Sequence, residues 1–100
     1  MYLRYMKYEL PIDYTKVSAK VRKAVREQYI EEQGNKCMYC DESLSERPPS
    51  HITNIPINWE FFPPFFLKAP IHLQHNHSTG MTEGAVHGYC NAVLWQYEGR

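Results

Sequence analysis

The sequence has no net charge, no long apolar run and no paired set of cysteines. Each absence excludes something. Lys and Arg total 11 and so do Asp and Glu, which argues against a histone-like binder. No apolar stretch approaches the roughly 20 residues of a membrane span. The opening MYLRYMKYEL mixes charge with aromatics and has no apolar core, so it does not read as a secretory signal. Three cysteines are an odd number, which fits poorly with a closed disulfide framework. There is no internal repeat and no low-complexity segment. The expectation is a soluble, cytoplasmic protein with no membrane attachment.

What is present is aromatic and unevenly charged. Eight Tyr, four Phe and two Trp in 100 residues are too many for a disordered chain. The length suits one domain, 1–100, with a small core that would benefit from a staple. Residues 1–26 carry seven basic groups against two acidic, a net of +5, and residues 27–100 carry four against nine. A basic arm of this kind can meet phosphate through one face, or can be a solvated helix. From about Thr15 to Gln33, Val17, Val21, Ala24, Val25 and Gln28 or Tyr29 recur at helical spacing. Asp13 or Thr15 can cap the start and Gly34 can end it. Lys16, Lys20, Lys23 and Arg26 fall off that stripe, toward solvent, and are the candidate nucleic-acid contacts.

Cys37-Met38-Tyr39-Cys40 is a C-x₂-C pair, and His87-Gly88-Tyr89-Cys90 is an H-x₂-C pair, with 46 residues between them. Both have zinc-knuckle spacing. Zinc favours four N/S ligands in a tetrahedron, and Cys₃His is a standard structural set. A redox Cys-x-x-Cys pair and inert buried thiols are the rival readings. Residues 41–58 read as loop, with a breaker cluster at Glu46-Arg47-Pro48-Pro49-Ser50. The run from Trp59 to Leu67 holds four Phe and two Pro, which forbids a central strand or helix. Its rings either close the core of a metal-bound domain or form a docking surface. Residues 71–77 can be a strand, 78–80 a turn and 81–86 a second strand. A short helix fits 91–97. In a strand, His75 and His77 can face the same way. Two imidazoles with the Asn91 amide nearby suit phosphodiester hydrolysis, or alternatively fill polar strand positions or bind a second zinc.

The run Leu73-Gln74-His75-Asn76-His77-Ser78-Thr79-Gly80, then Gly84, then Cys90-Asn91, resembles the ββα-metal core of HNH endonucleases. It is closest to the branch that includes phage endonuclease VII. The resemblance covers residues 74–91 with Cys37 and Cys40, and does not reach residues 1–30 or the aromatic-proline run. It implies a small α+β fold: a treble-clef-like ββα-metal domain, core about 70–100, with a structural zinc knuckle on Cys37, Cys40, His87 and Cys90 and an N-terminal helix. It implies His75 as general base, His77 at the scissile phosphate, and Asn91 as a ligand of a catalytic Mg²⁺ or Mn²⁺. Gln74 stands where the family has Asp or His as a second ligand. A neutral amide binds Mg²⁺ more weakly than a carboxylate, so substrate phosphate or His72 would have to help, or activity would fall. Glu83 stands where the branch often has a basic residue. The implied substrate is double-stranded or branched DNA, nicked by a monomer or cut on both strands by a homodimer. The alternative is a zinc-stabilised module that binds nucleic acid or a phage packaging protein without cutting.

Overall fold

The computed structural model describes residues 8–99. Its elements are α1 (Ala19–Glu32), α2 (Ser50–Thr53), β1 (Ile71–His75), β2 (Thr82–His87) and α3 (Gly88–Glu98). Single 3-10 turns occur at Tyr14–Lys16 and Trp59–Phe61. The result is a small α+β arrangement in which a two-stranded antiparallel sheet is packed by α1 and α3. Among the described residues, no helix is long and apolar enough to cross a membrane.

The first helix starts later than its periodicity suggests. Ser18 caps it, its Oγ accepting the Val21 N–H at 3.2 Å. Asp13 caps as well, but caps the preceding 3-10 turn, where its Oδ1 accepts the Thr15 N–H at 2.9 Å. Lys16 therefore lies outside α1. Of the apolar stripe only Val25 is fully buried, and the rest is half-buried. At the other end, Gly34 and Asn35 take left-handed φ values of 66° and 62°, reversing the chain into residues 36–43.

Gln33, beyond the last turn of α1, acts as a short piece of strand. Its Oε1 accepts the Ala85 N–H at 2.9 Å, and its Nε2 donates to Ala85 O at 3.0 Å and Lys36 O at 2.7 Å. Gly84 permits this approach, because a Cβ there would sit 2.9 Å from Gln33 Oε1 and 3.1 Å from Met38 Cβ.

The strands pair from Ile71↔His87 to Gln74↔Gly84, and the next pair is His75↔Thr82. Glu83 is thus the extra residue of a β-bulge, which disturbs the ladder where His75 begins to leave the sheet. Asn76 shapes the turn that follows. Its Oδ1 accepts the N–H groups of Ser78 at 2.8 Å and Thr79 at 3.0 Å. Residues 12–14 then lie along the end of β2. Thr82 N donates to Ile12 O at 2.9 Å, and Tyr14 N donates to Gly80 O at 2.8 Å.

The core is Cys37, Leu44, Ile52, Ala85, Val86, Cys90, Val93 and Leu94. The stretch 41–58 is not all loop, since α2 lies within it and buries Ile52. The aromatic-proline run does not close this core. Phe62 and Phe66 are half-buried, whereas Trp59, Phe61, Phe65 and Leu67 are exposed. They form an outer layer over α3, with Trp59 edge-on to Tyr89 at 5.2 Å and Phe62 edge-on to Trp95 at 5.2 Å.

Candidate functional site

The two half-sites meet. The donor atoms of Cys37, Cys40, His87 and Cys90 all lie within 4.8 Å of one another. Residues 36–43 form a tight hairpin in which Cys37 N donates to Glu42 O, Asp41 N to Cys37 O and Cys40 N to Cys37 Sγ. Asp41 takes the left-handed φ of 65° that closes it. His87 ends β2 and Cys90 sits in the first turn of α3, so the β2–α3 junction presents both remaining donors.

His87 is oriented for a metal. Its Nε2 lies 2.8 Å from Ser43 O and 3.0 Å from Glu46 O. Both are acceptors, so Nε2 carries the proton and the Nδ1 lone pair faces the sulfurs. Nδ1 is 3.5 Å from Cys40 Sγ and 3.7 Å from Cys90 Sγ. A tetrahedron with zinc's usual bond lengths has S···N edges of about 3.5 Å. The Cys90 thiol hydrogen-bonds to Cys37 and holds it down at about 4. The same bond, together with burial, pushes Cys90 up, and burial pushes Cys40 up. Three thiolates this close repel one another, and a divalent cation would let all three ionise. The donor set fits a structural zinc.

None of these four residues lines a polar cleft beside them, an open space of about 460 Å³. Its walls carry His72, Gln74, His75 and His77 from β1 and the turn after it, Asn91 from α3, and Arg22 and Arg26 from α1. Tyr14 closes one side. Among the described residues that line it there is no carboxylate.

His75 stacks face to face on Tyr14, centroids 3.9 Å apart and planes 7° apart. The Arg22 guanidinium carbon also lies 3.9 Å from the Tyr14 centroid, and Nε donates to Tyr14 O at 3.0 Å. Two groups that close to one ring must occupy opposite faces, so Tyr14 sits between Arg22 and His75. His77 approaches His75 at 4.5 Å. It does so from the turn, since β1 ends at His75, and not by strand alternation. Burial pushes the His75 imidazole below its usual value, and His77 and Arg22 push in the same direction. It is therefore neutral at pH 7 and able to accept a proton.

Gln74 is 1% exposed. Its Nε2 donates to His75 O at 3.0 Å and Glu83 Oε1 at 3.1 Å, which fixes the amide's orientation. Its Oε1 is buried without a partner. An orphaned acceptor costs about 1–3 kcal/mol, so this oxygen is a natural place for a cation. Asn91 Nδ2 lies 3.1 Å from His72 Nδ1. An amide nitrogen can only donate, so His72 Nδ1 accepts that N–H, and Asn91 Oδ1 is the atom that could meet a ligand. Two amide oxygens fit a hard cation in donor type, and substrate phosphate would have to supply the charge.

The cleft thus brings together His75, His77, Gln74, Asn91 and Arg26. Lys16, Lys20 and Lys23 are exposed and do not line it. Arg22 also lines the cleft, and its i, i+4 spacing to Arg26 marks the same helix face. No local sequence pattern announces the contacts of Tyr14 with His75 and Arg22 or of His72 with Asn91. No family model matches this chain, nor does any curated protein or solved structure.

Proposed function

We propose that the chain is an HNH-type endonuclease, a ββα-metal, treble-clef-like domain stapled by zinc, that hydrolyses DNA phosphodiester bonds. One observation carries the reading. His75, His77, Asn91 and Gln74 converge with Arg22 and Arg26 in a single cleft free of carboxylates.

His75, neutral and stacked on Tyr14, takes a proton from water at an imidazole nitrogen, and the water oxygen attacks phosphorus. His77 and the two arginines hold non-bridging oxygens. Asn91 Oδ1 and Gln74 Oε1 would hold one Mg²⁺ or Mn²⁺, which when bound supplies charge stabilisation at the leaving 3′ oxygen. Lys16, Lys20 and Lys23 contact backbone phosphates outside the cleft, so binding weakens with salt. One site cuts one strand, so a monomer nicks.

The Gln74 amide, in place of a carboxylate, favours a second reading: a zinc-stabilised module that binds DNA, or a phage packaging protein, without cutting. Supercoiled plasmid incubated with the zinc-loaded protein in Mg²⁺, in Mn²⁺ or with no added divalent ion separates the two. Relaxed circles that form only with a divalent ion support the nuclease. Intact plasmid in every buffer, from folded and zinc-loaded protein, supports the binder.

A further inference from the structure

We propose that the aromatic cleft adjoining the reaction cleft receives an unstacked nucleobase next to the scissile phosphate, so that DNA with unpaired nucleotides at the cut is the preferred substrate. The inference rests on the endonuclease reading above. A second cleft of about 220 Å³ is walled by Phe61, Phe62, Phe66 and Trp95, and it shares His77 and Asn91 with the first. Trp95 lies four residues after Asn91, one turn along the same face of α3. Phe61 is 57% exposed and Trp95 38%. Edge-on contacts with Trp95, at 5.7 Å from Phe61 and 5.2 Å from Phe62, fix these rings without covering them.

Position decides the occupant. His77 and Asn91 line both clefts, so a phosphate held there brings an adjoining nucleotide beside these rings. Of phosphate, sugar and base, only the base has a flat apolar face that matches aromatic walls. In a duplex that face is covered by its neighbours. A paired base must first be unstacked, and an unpaired base need not be. Stacking on an aromatic ring is worth on the order of tenfold per base, so discrimination of about tenfold follows.

Two DNAs identical around the cut, one fully paired and one with an unpaired flank, test this directly. The unpaired substrate should be cut about tenfold faster, and Trp95→Ala and Phe61→Ala should each bring that ratio toward one. Phe61 is a surface ring, so its variant keeps the test valid if Trp95→Ala fails to fold. A second readout needs no cutting. In Trp59→Phe protein, Trp95 is the one tryptophan, and with zinc retained and no Mg²⁺ or Mn²⁺ added a single-stranded oligonucleotide should quench its fluorescence while an abasic strand of equal length does not. Cutting with no preference, a preference that survives both variants, or equal quenching by the abasic strand overturns the inference and leaves the aromatic face to a protein partner. Base-dependent quenching with no cutting of any substrate supports the base cleft and overturns the nuclease reading instead. Neither cutting nor quenching overturns both.

Discussion

Replacing Cys90 by Ser removes one of the four donors that could hold a zinc between residues 36–43 and the β2–α3 junction. Cys90 is fully buried and belongs to the core cluster together with Cys37. The magnitude follows from what a four-ligand zinc supplies. Structural zinc contributes about 10–16 kcal/mol on binding, so one ligand's share is about 3–4 kcal/mol. The hydroxyl left in the core adds to the loss. A whole domain of this size is stable by only about 5–15 kcal/mol. Each kcal/mol is worth about 4–8 °C in melting temperature at this length, so the midpoint should fall by about 12–30 °C. The assay is a thermal melt followed by near-UV circular dichroism, with zinc content measured on the same sample. A variant that melts within 3 °C of the parent and keeps one zinc per chain would refute the assignment, since Cys90 would then be an ordinary core thiol.

Three further outcomes follow. Because His75 is held below its usual 6.5 and is the proposed neutral base, the cleavage rate should rise with pH and level off, with an acid-limb midpoint below 6.5; a midpoint above 7 in a pH–rate profile contradicts the assignment. Gln74→Asp puts a second carboxylate beside Glu83 in a buried site, so the variant should melt lower than the parent without Mg²⁺ and recover when Mg²⁺ is added; a melting temperature indifferent to Mg²⁺ shows that position 74 does not face the ion. Gly80→Ala forces a side chain into φ 80° and places its Cβ 2.9 Å from Asp13 Oδ1. It should cost about 1–2 kcal/mol in urea unfolding, and an unchanged midpoint would mean that the turn relaxes freely.

The parts legible in the sequence are those whose partners lie close along the chain. The strand–turn–strand–helix order from 71 to 98 could be read because turn residues and alternation are local signals, and the Cys/His pairs because knuckle spacing is itself the signal. The start of α1 was misjudged because Asp13 and Ser18 are both good caps, and only the lie of residues 12–14 along β2 decides between them. Tyr14 on His75 and Gln33 on the β2 edge join residues far apart in sequence, and no periodicity encodes such contacts. The aromatic run could not be resolved between core and surface by composition, since both uses favour the same rings. The sequence offers His72 as a helper in holding the ion beside Gln74, and in the structure its short contact is to Asn91.

The central claim is that His75 is the base of a phosphodiester-cleaving site. The most direct measurement is the single-turnover rate of plasmid nicking by the parent and by His75→Ala, at matched zinc content and with matching circular dichroism. Loss of general-base catalysis should lower the rate by about 10²–10⁴-fold while DNA binding by the zinc-loaded protein without added Mg²⁺ or Mn²⁺ is retained. A variant that nicks at the parental rate would contradict the account, and so would a parent that nicks in no divalent metal.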